Sequence, residues 1–363
     1  MESGPVQPPV HGADDERFAH EARFYQQLAH GKIRCQLCPH GCLVSDGERG
    51  ACGVRKNRAG AFYTLVHSRL VAAHVDPVEK KPLFHFLPGS QAFSVATAGC
   101  TLSCSFCQNS ELAEARPEQI AAEYAPPEAI AAYAHQSHCQ SIAFTYTEPT
   151  LAAEFVMDTA DAAHALGLNC VAISNGYVQG EALQAIFGKM DAVKIDLKAF
   201  TEKFYREQAR GHLQPVLDAL IALRAMHKWI EIVCLLIPSL NDSALEVHEM
   251  AQWIHAHLGP DVPLHFSRFH PAHHLQTLPA TPLATLERAR DVALEAGLHY
   301  VYIGNVPGHA AENTYCPGCG KLLVERSGFV AGRMLVRKDS SCPYCLHKIA
   351  GLWRATTPAG QSA

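Results

Sequence analysis

The sequence predicts an α/β fold built around parallel strands, and three observations support this. Short apolar segments rich in Val and Ile recur along the middle of the 363-residue chain, helix-patterned segments separate them, and about six or seven such units occur. Apolar segments of this kind are typical of strands buried on both faces, and their alternation with helices favours crossover connections. This number of units suits an incomplete (β/α) barrel better than a flat sheet.

Seven segments are predicted as strands because each is short, apolar and rich in β-branched residues. They cover residues 92–98, 141–146, 169–174, 192–197, 230–237, 264–269 and 300–303. Between them, apolar residues recur at helical spacing, as at Val247, Ala251 and Ile254. Gly167 and Gly297 each stand at a predicted helix end, directly before the next apolar segment.

The regions outside this α/β body have a different composition. The first 15 residues are polar with Pro and Gly, and a short helix is predicted from about residue 15 to residue 29. Cysteines then cluster on both sides of the body. The predicted regions are a flexible lead and short helix (1–30), a cysteine-rich module (31–60), the α/β body (61–310), a module with paired C-x2-C sequences (311–355) and a tail (356–363).

Composition excludes several classes of protein. Hydrophobic residues make up 48% of the chain and charged residues 18%, which is enough apolar material for a sizeable core and too much for a disordered chain. The net charge is −5 without a dense Lys/Arg run, which argues against nucleic-acid binding. No apolar stretch approaches a membrane span, and the N-terminal residues lack an apolar signal core. We therefore expect a cytoplasmic protein that does not contact membranes.

The 14 cysteines are the most informative feature of the composition. Without an export signal, metal ligation is a better interpretation than a disulfide framework. Cys139, Cys170 and Cys234 stand alone in or beside apolar stretches, and we interpret them as small core residues. The other cysteines form three tight groups.

The central group follows the first predicted body strand in the sequence GCTLSCSFCQN, residues 99–109. Cys100, Cys104 and Cys107 have the spacing C-x3-C-x2-C, with Phe106 directly before the last cysteine. Three thiolates on one loop can ligate three irons of a [4Fe–4S] cubane and leave the fourth iron without a protein ligand. An open coordination position is what chemistry on a bound substrate requires.

This motif resembles the signature of the radical S-adenosylmethionine (SAM) superfamily. The resemblance implies a partial (β/α)6 TIM-like radical SAM barrel, a [4Fe–4S] cluster and SAM as cofactor. In that superfamily SAM chelates the open iron, one electron cleaves its S–C5′ bond, and the resulting 5′-deoxyadenosyl radical abstracts a hydrogen atom from a substrate. The alternatives for the motif are a zinc site or a chance match.

The resemblance also assigns polar residues that follow the predicted strands. It implies that Glu148 in YTEP binds the SAM amino group, although the Gly-Gly usual before the acid is missing. The remaining residues that it implies near the cofactor are Phe106, Ser174, Asn175, Asp196, Lys198, Asn241 and His270. Glu148, Lys198 and His270 are the candidate catalytic residues.

The positions of these residues support the assignment independently. Most of them fall just past the carboxyl end of a predicted strand, and in a barrel those ends converge on the face that carries the active site. Alternatives remain open. Glu148 can instead cap the next helix, and Asp196 with Lys198 can be an ordinary loop pair. His270, with His273 and His274 nearby, can be solvated or part of a minor metal site.

The two outer cysteine groups predict further metal centres. Cys316, Cys319, Cys342 and Cys345 form two C-x2-C knuckles, a zinc-ribbon-like pattern that favours structural zinc over an auxiliary iron–sulfur cluster or a rubredoxin-like iron. Cys35, Cys38, Cys42 and Cys52 have the spacing C-x2-C-x3-C-x9-C, which leaves zinc and an auxiliary cluster equally open. The residues between the C-terminal knuckles have scattered charges and no aromatic platform for bases.

The order of several segments carries a closer resemblance. DPVEKKPLFHFLPGS, GCTLSCSFCQN, TYTEPT, SNGY, KIDLKAF, PLHFSRFHP and YVYIGNVPG precede the paired knuckles. Together they resemble the AmmeMemoRadiSam-system radical SAM enzymes, a branch near the pyruvate formate-lyase activating enzymes. This resemblance implies Memo-like and Ammecr-like proteins as partners and a flavodoxin- or ferredoxin-type electron donor.

Three functions follow from these observations. The first is radical chemistry on a protein, as in glycyl-radical activation, although the outer cysteine modules depart from a minimal activase. The second is radical SAM modification of a small molecule or a nucleic acid. The third is a metal-binding adaptor without catalysis, which the intact Cys100, Cys104 and Cys107 argue against.

Overall fold

The structure is a computed structural model, and it describes residues 16–353. The predicted lead over residues 1–15 and the predicted tail over residues 356–363 lie outside the described residues. The N-terminal part contains two small antiparallel sheets, with strand orders β2-β3-β4 and β1-β6-β5. Its strands are β1 (His20–Glu21), β2 (Tyr25–Gln27), β3 (Ile33–Cys35), β4 (Leu43–Val44), β5 (Arg55–Arg58), β6 (Ala61–Thr64) and β7 (Arg69–Leu70).

The helix predicted over residues 15–29 is wrong. Apart from residue 15, which is not described, the segment begins with one 3-10 turn, Glu16–Phe18, and continues as β1 and β2, with a further short turn at Ala29–Gly31. The buried residues Phe18, Ala22 and Phe24 lie in the turns beside β1 and β2, and Phe24 has a φ of 60°, which a helix does not contain. Pairing of β1 with β6 satisfies part of the backbone, so tertiary contacts override the helical propensity of the segment.

All seven predicted strands of the body are present, and they belong to one eight-stranded sheet. Seven neighbouring strands are parallel, one more than the six of the predicted barrel, and β8 pairs antiparallel with β9 at one edge. The sequence analysis missed β8 because its residues are largely exposed and lack a continuous apolar run. The strands from here on are β8 (Ala72–Pro77), β9 (Gln91–Ala96), β10 (Glu123–Tyr124), β11 (Ser141–Phe144), β12 (Asn169–Ser174), β13 (Ala192–Asp196), β14 (Trp229–Leu236), β15 (Leu264–Arg268) and β16 (Val301–Gly304).

The helices that connect the parallel strands pack on one face of the sheet, as sequential right-handed crossovers require. They are α1 (Ser110–Ala113), α2 (Pro127–Gln136), α3 (Ala153–Ala165), α4 (Gly180–Gly188), α5 (Glu202–Phe204), α6 (Leu213–Ala225), α7 (Ala244–Leu258) and α8 (Leu283–Glu295). Gly167 and Gly297 follow α3 and α8 with φ values of 74° and 99°, the left-handed conformation that ends helices. No helix within residues 16–353 is long and apolar enough to cross a membrane.

The opposite face of the sheet is covered differently at its two ends. At the amino end, small strand residues such as Ala92, Ala143 and Ala192 pack against Leu83 and Phe86 from the segment between β8 and β9. At the carboxyl end this face borders a cavity, described below. The C-terminal part adds β17 (Thr314–Tyr315), β18 (Leu322–Ser327) and β19 (Val330–Met334), which form a small antiparallel sheet. This sheet packs on the body through a separate core that includes Phe84, Tyr300 and Tyr302.

Candidate active site

The loop after β9 brings three cysteines to one cavity. Cys100, Cys104 and Cys107 all line a cavity of about 220 Å³ at the carboxyl end of the parallel strands. The other lining residues come from the ends of β11, β12, β13, β14 and β15 and from the loop after β16. The strand ends therefore converge on the cysteine loop, as expected for an active site of an α/β fold.

A π-helical turn holds the cysteine loop in place. The Ser103 N–H donates to the Ala209 carbonyl at 3.1 Å, and the Ser105 N–H donates to the Gln208 carbonyl at 2.8 Å. The Ser105 hydroxyl also donates to Gln208 Oε1 at 2.6 Å. Both acceptor residues belong to the π-helix Tyr205–Ala209, a rare geometry that occurs frequently at functional sites.

Gly99 precedes the first cysteine of the loop, and only glycine fits there. Its φ is +96°, and an added Cβ would lie 2.7 Å from Val54 Cγ1 and 3.1 Å from the Cys52 carbonyl oxygen. The cysteine loop therefore packs directly against the N-terminal module.

Asp196 and Lys198 form a charged pair at the end of β13 and in the loop that follows. Lys198 Nζ donates to Asp196 Oδ2 at 2.9 Å, and Lys194 Nζ donates to the other carboxylate oxygen. Burial favours the neutral acid, but the charges of Lys194 and Lys198 outweigh it and leave the pKa of Asp196 at about 2. Burial lowers the pKa of Lys198, but the charge and hydrogen bond of Asp196, together with Cys104 and Tyr205, raise it above its usual value. Two ammonium groups share one carboxylate here, so Lys194, Asp196 and Lys198 together have a net positive charge. Asp196 and Lys198 line the cavity.

Glu148 is buried behind the cysteine loop and still lines the cavity. Its Oε1 accepts from Ser174 Oγ at 2.8 Å and from the Thr150 N–H at 3.1 Å, and its Oε2 accepts from the Asn175 N–H at 2.7 Å. Burial raises the pKa of Glu148, while these donors favour the carboxylate. The hydrogen bond from the Thr150 N–H shows that Glu148 caps the turn that follows. Glu148 therefore both caps this turn and lines the cavity.

Asn175 and the cysteine thiols suit an iron–sulfur cluster. Asn175 Nδ2 donates to Cys100 Sγ at 3.6 Å and to Thr101 Oγ1 at 3.0 Å, and hydrogen bonds to sulfur are a common way of tuning such clusters. Burial raises the pKa of the Cys104 thiol to about 11, partly opposed by Lys198. The thiolate form therefore needs a cationic centre, which cluster irons provide. The donor set on this loop fits the group that the sequence motif predicts.

The other predicted residues have varied positions. Phe106 is buried, lines the cavity and packs on Phe204 with ring centroids 5.6 Å apart. Ser174 is buried and contacts Glu148, although it does not line the cavity. Asn241 Nδ2 donates to the Lys198 carbonyl at 2.8 Å, which ties the loop after β14 to the loop after β13. His270 is exposed and lies outside the cavity lining.

Several polar residues of the cavity were not predicted from the sequence, including Tyr146, Ser267 and Asn305. Tyr146 lines the cavity, and its hydroxyl donates to Asp76 Oδ2 at 2.6 Å. Ser267 in β15 and Asn305 after β16 also line the cavity, and Asn305 Nδ2 donates to Ser267 Oγ at 2.9 Å. The sequence feature that could have identified them is their position at the end of a predicted strand or just past it.

The family model of the radical SAM superfamily matches residues 94–251, which run from β9 to α7 and include the cysteine loop. The chain contains a radical SAM superfamily domain. A radical SAM domain implies a [4Fe–4S] cluster and SAM, and Cys100, Cys104 and Cys107 are the residues that could hold the cluster.

The chain is also similar to a full-length relative and to solved structures. It is 41% identical to the uncharacterized protein MJ0808 of Methanocaldococcus jannaschii over 332 residues, 91% of this chain and 98% of that protein. A domain of pyruvate-formate lyase-activating enzyme from Bacteroides vulgatus is 16% identical with a TM-score of 0.41, covering 46% of this chain and 99% of that one. Streptococcus suis SuiB bound to S-adenosylmethionine is 13% identical with a TM-score of 0.48, covering 66% and 56%. A radical SAM methyltransferase from Sphaerobacter thermophilus is 15% identical with a TM-score of 0.48, covering 65% and 71%.

The C-terminal cysteines of this radical SAM protein form a compact group. The four sulfurs of Cys316, Cys319, Cys342 and Cys345 all lie within 4.8 Å of one another. The Cys316–Cys345 and Cys319–Cys342 sulfur distances are 3.5 and 3.7 Å. Four thiolates around one tetrahedral zinc, with Zn–S bonds of about 2.3 Å, have sulfurs about 3.8 Å apart. The spacing therefore suits a single metal ion.

Proposed function

We propose that this protein is a radical SAM enzyme that cleaves SAM reductively and abstracts a hydrogen atom from a substrate. The observation that carries the proposal is the convergence of Cys100, Cys104 and Cys107 with Lys198 and Glu148 on one cavity. When bound, the cluster supplies the electron that cleaves SAM to methionine and a 5′-deoxyadenosyl radical. The protein's own side chains must bind SAM, orient it and exclude water from the radical.

The charges in the cavity fit the two charged ends of the methionine part of SAM. The Lys198 ammonium, which Asp196 holds in place, suits the SAM carboxylate. The Glu148 carboxylate accepts three hydrogen bonds and has capacity for one more, which suits the SAM ammonium group. Phe106 offers an apolar ring for the adenine, and Asn175 positions the Cys100 sulfur.

We assign supporting roles to the remaining predicted residues. Ser174 orients Glu148, and Asn241 fixes the backbone that carries Lys198. A cofactor contact by His270 would require the exposed segment after β15 to move over the cavity.

We infer a protein or peptide segment as substrate, as in the activating enzymes that the sequence resembles. The cavity adjoins a broad groove, because Cys100, Leu102 and Glu114 line both. Residues 47–53 of the N-terminal module form the other side of the groove. A groove of this kind leaves room for an extended segment beside the cysteine loop. Memo-like and Ammecr-like proteins are the proposed partners within an AmmeMemoRadiSam system, in the cytoplasm, with a flavodoxin- or ferredoxin-type electron donor.

We also infer that the central sheet curves as a partial (β/α) barrel. Sequential parallel order, crossover helices on one face and a cavity on the other support this curvature. The proposed divisions are a cysteine-rich module over residues 31–60, the barrel over 61–310 and the C-terminal module over 311–355. We propose that the C-terminal cysteines hold zinc, because their sulfur spacing suits one tetrahedral ion.

The central experiment measures SAM cleavage. The protein is reconstituted anaerobically with iron and sulfide, reduced with dithionite and supplied with SAM, and 5′-deoxyadenosine and methionine are quantified. We expect product from the wild type and none from Cys104→Ala, because the cluster loses one of three anchors. Cys139→Ala is the matched control, since Cys139 is buried away from the cavity and should retain activity. No product from wild-type protein with verified cluster content and reduction would contradict the proposal.

A second experiment tests the substrate class. Uniformly deuterated Memo-like or Ammecr-like protein is added to the reduced enzyme with unlabelled SAM. Deuterium in the 5′-deoxyadenosine would support abstraction from that protein. Unlabelled 5′-deoxyadenosine with every candidate protein would instead favour a small-molecule substrate.

A further inference from the structure

We infer that Cys35, Cys38, Cys42 and Cys52 hold a second [4Fe–4S] cluster, which passes electrons to the cluster on the loop of residues 99–107. The inference rests on the proposed function, because it assigns the source of the electron that SAM cleavage consumes.

The four cysteines lie on three neighbouring segments of the N-terminal module. Cys35 ends β3, Cys38 and Cys42 lie in the turn between β3 and β4, and Cys52 lies shortly before β5. The sulfurs of Cys42 and Cys52 both face Gly50, because an added Cβ there would lie 3.8 and 3.9 Å from them. The Ala51 N–H donates to Cys42 Sγ at 3.3 Å, the type of hydrogen bond that stabilises thiolate ligands.

The sulfur spacing distinguishes this group from the C-terminal one. Within residues 16–353, no three sulfurs of Cys35, Cys38, Cys42 and Cys52 all lie within 4.8 Å of one another, whereas all four C-terminal sulfurs do. Ligands of a single ion must lie close together, while each ligand of a cubane binds a different iron and the sulfurs stand farther apart. The sulfurs of Cys100, Cys104 and Cys107 likewise do not all lie within 4.8 Å of one another. It favours a cluster over zinc in the N-terminal module.

A buried positive charge lies beside the N-terminal cysteines. Arg55 is fully buried, and its Nη2 donates to the two carboxylate oxygens of Glu154 at 2.8 and 2.6 Å. Arg55 lies close enough to the Cys35 and Cys52 sulfurs to interact with them electrostatically. The guanidinium is fixed by Glu154 and by the Arg23 carbonyl at 2.9 Å, so it gives a rigid, partly compensating charge for a thiolate-bound centre.

The two cysteine loops contact each other on both sides of Cys100. His40, between Cys38 and Cys42, donates from Nε2 to the Thr101 carbonyl at 2.7 Å. On the other side, the Cys52 carbonyl lies 3.1 Å from the position of an added Cβ on Gly99. Ligand-bearing segments of the two sites are therefore in direct contact, which provides a short route for an electron.

The electron balance is simple. A reduced flavodoxin- or ferredoxin-type protein gives one electron to the N-terminal cluster, which is thereby reduced from the 2+ to the 1+ state. That cluster is reoxidised when the electron passes to the cluster on Cys100, Cys104 and Cys107. The electron finally enters the S–C5′ bond of SAM, which breaks to methionine and the 5′-deoxyadenosyl radical.

Metal content tests the inference without reference to activity. The full-length protein is reconstituted with iron and sulfide in the presence of competing zinc, and iron, sulfide and zinc are measured with electron paramagnetic resonance of the reduced sample. We expect about eight irons per chain in the wild type and about four in Cys35→Ser/Cys38→Ser, two positions that line neither the cavity nor the groove. Cys42→Ser should disturb folding less, because Cys42 is partly exposed. We expect this variant to lose or alter only one of the two cluster signals. Zinc at the N-terminal site and about four irons in the wild type would overturn the inference.

The relay role is tested by changing the reductant. With a flavodoxin or ferredoxin and its reductase, we expect the double variant to form 5′-deoxyadenosine at least about tenfold more slowly than the wild type. With dithionite, which can reach the catalytic cluster directly, its rate should stay near the wild-type value. An equal rate with the protein donor would overturn the relay. Failure of wild-type SAM cleavage with dithionite would count against the proposed function alone, because the iron content still decides whether the second cluster exists.

Discussion

The two ends of the central sheet both bury charged groups, and Glu231 at one end and Lys198 at the other differ in how many of their hydrogen-bonding positions are filled. At the amino end, Glu231 accepts four hydrogen bonds from protein donors. At the carboxyl end, Lys198 donates one side-chain hydrogen bond within residues 16–353, to Asp196, and faces the cavity. An ammonium group has three donors, so two remain for a ligand. Glu231 therefore serves to hold the fold together, whereas the two remaining donors of Lys198 face the cavity and can bind a ligand.

The amino end joins three parts of the chain through Glu231. Its Oε1 accepts from the His85 N–H at 2.8 Å and from Trp229 Nε1 at 3.1 Å, and its Oε2 accepts from the Phe84 N–H at 2.9 Å and from His265 Nε2 at 2.8 Å. Burial favours the protonated acid, but these donors and the nearby histidines lower the pKa of Glu231 below its usual value.

The C-terminal module is tied to the same end of the sheet. Arg326 Nη2 donates to the Phe84 carbonyl at 2.7 Å, and its Nη1 donates to Thr314 Oγ1 at 2.7 Å. His85 Nδ1 contacts the Ala350 carbonyl at 2.6 Å. The segment between β8 and β9 therefore bridges the sheet and the module, which explains why polar groups can be buried there without a ligand.

The largest expected effect is on stability and comes from Glu231→Ala. The change leaves four donors without an acceptor in a buried site, so we expect a loss of about 3–5 kcal/mol in the free energy of unfolding. Urea denaturation followed by circular dichroism measures the loss. Glu325→Ala on β18 is the control and should change stability by less than about 0.5 kcal/mol, because Glu325 is exposed. A loss below about 1 kcal/mol for Glu231→Ala would contradict the conclusion that Glu231 stabilises the amino end of the sheet.

The next effect is on ligand binding and comes from Lys198→Met. Loss of one charge-assisted hydrogen bond should weaken SAM binding by about 10- to 100-fold. Stability should change by no more than about 1 kcal/mol, since Lys194 still neutralises Asp196. Isothermal titration of reconstituted protein measures the affinity. Lys189→Met, at a surface pair with Asp161, is the control and should bind SAM normally. Unchanged affinity for Lys198→Met would remove Lys198 from the SAM site.

The smallest effect concerns pH and His85. Burial lowers the pKa of His85 to about 4, against about 6.5 in an unfolded chain. Between these values the unfolded state binds more protons, so stability falls as pH decreases from about 6.5 to 4, by up to about 1.4 kcal/mol per pH unit. Replacing His85 by Gln should flatten this slope relative to the wild type. Unfolding measured across this pH range checks the prediction, and an unchanged slope would show that His85 binds protons equally in the folded and unfolded states.

Local patterns made much of the fold predictable. Strands such as β11 and β12 are largely apolar segments, so their burial is visible in the sequence itself. The edge strand β8 was not predicted, because antiparallel pairing at a sheet edge does not require an apolar run. The helix predicted at the N-terminus failed for a related reason, since pairing with β6 decided the conformation of β1.

The candidate site was predictable where its residues lie close together in the sequence. Cys100, Cys104 and Cys107 lie close in sequence on one loop, so their spacing alone indicates a cluster. Tyr146 and Asn305 reach the cavity from opposite parts of the sheet, and that proximity arises only from strand order. His270 follows a strand as the cavity residues do, yet its side chain is exposed, because position past a strand end does not decide the direction of a side chain.

By itself, the sequence determined the parallel α/β architecture, the radical SAM cysteine motif and the existence of two further cysteine groups, because periodicity and ligand spacing are local properties. Only the tertiary structure decided which buried charges are saturated and which face a cavity. It also decided that Cys52 and His40 contact the loop around Cys100. Such contacts join residues about fifty to sixty positions apart, and the energy that selects them comes from packing and hydrogen bonds that no single segment contains.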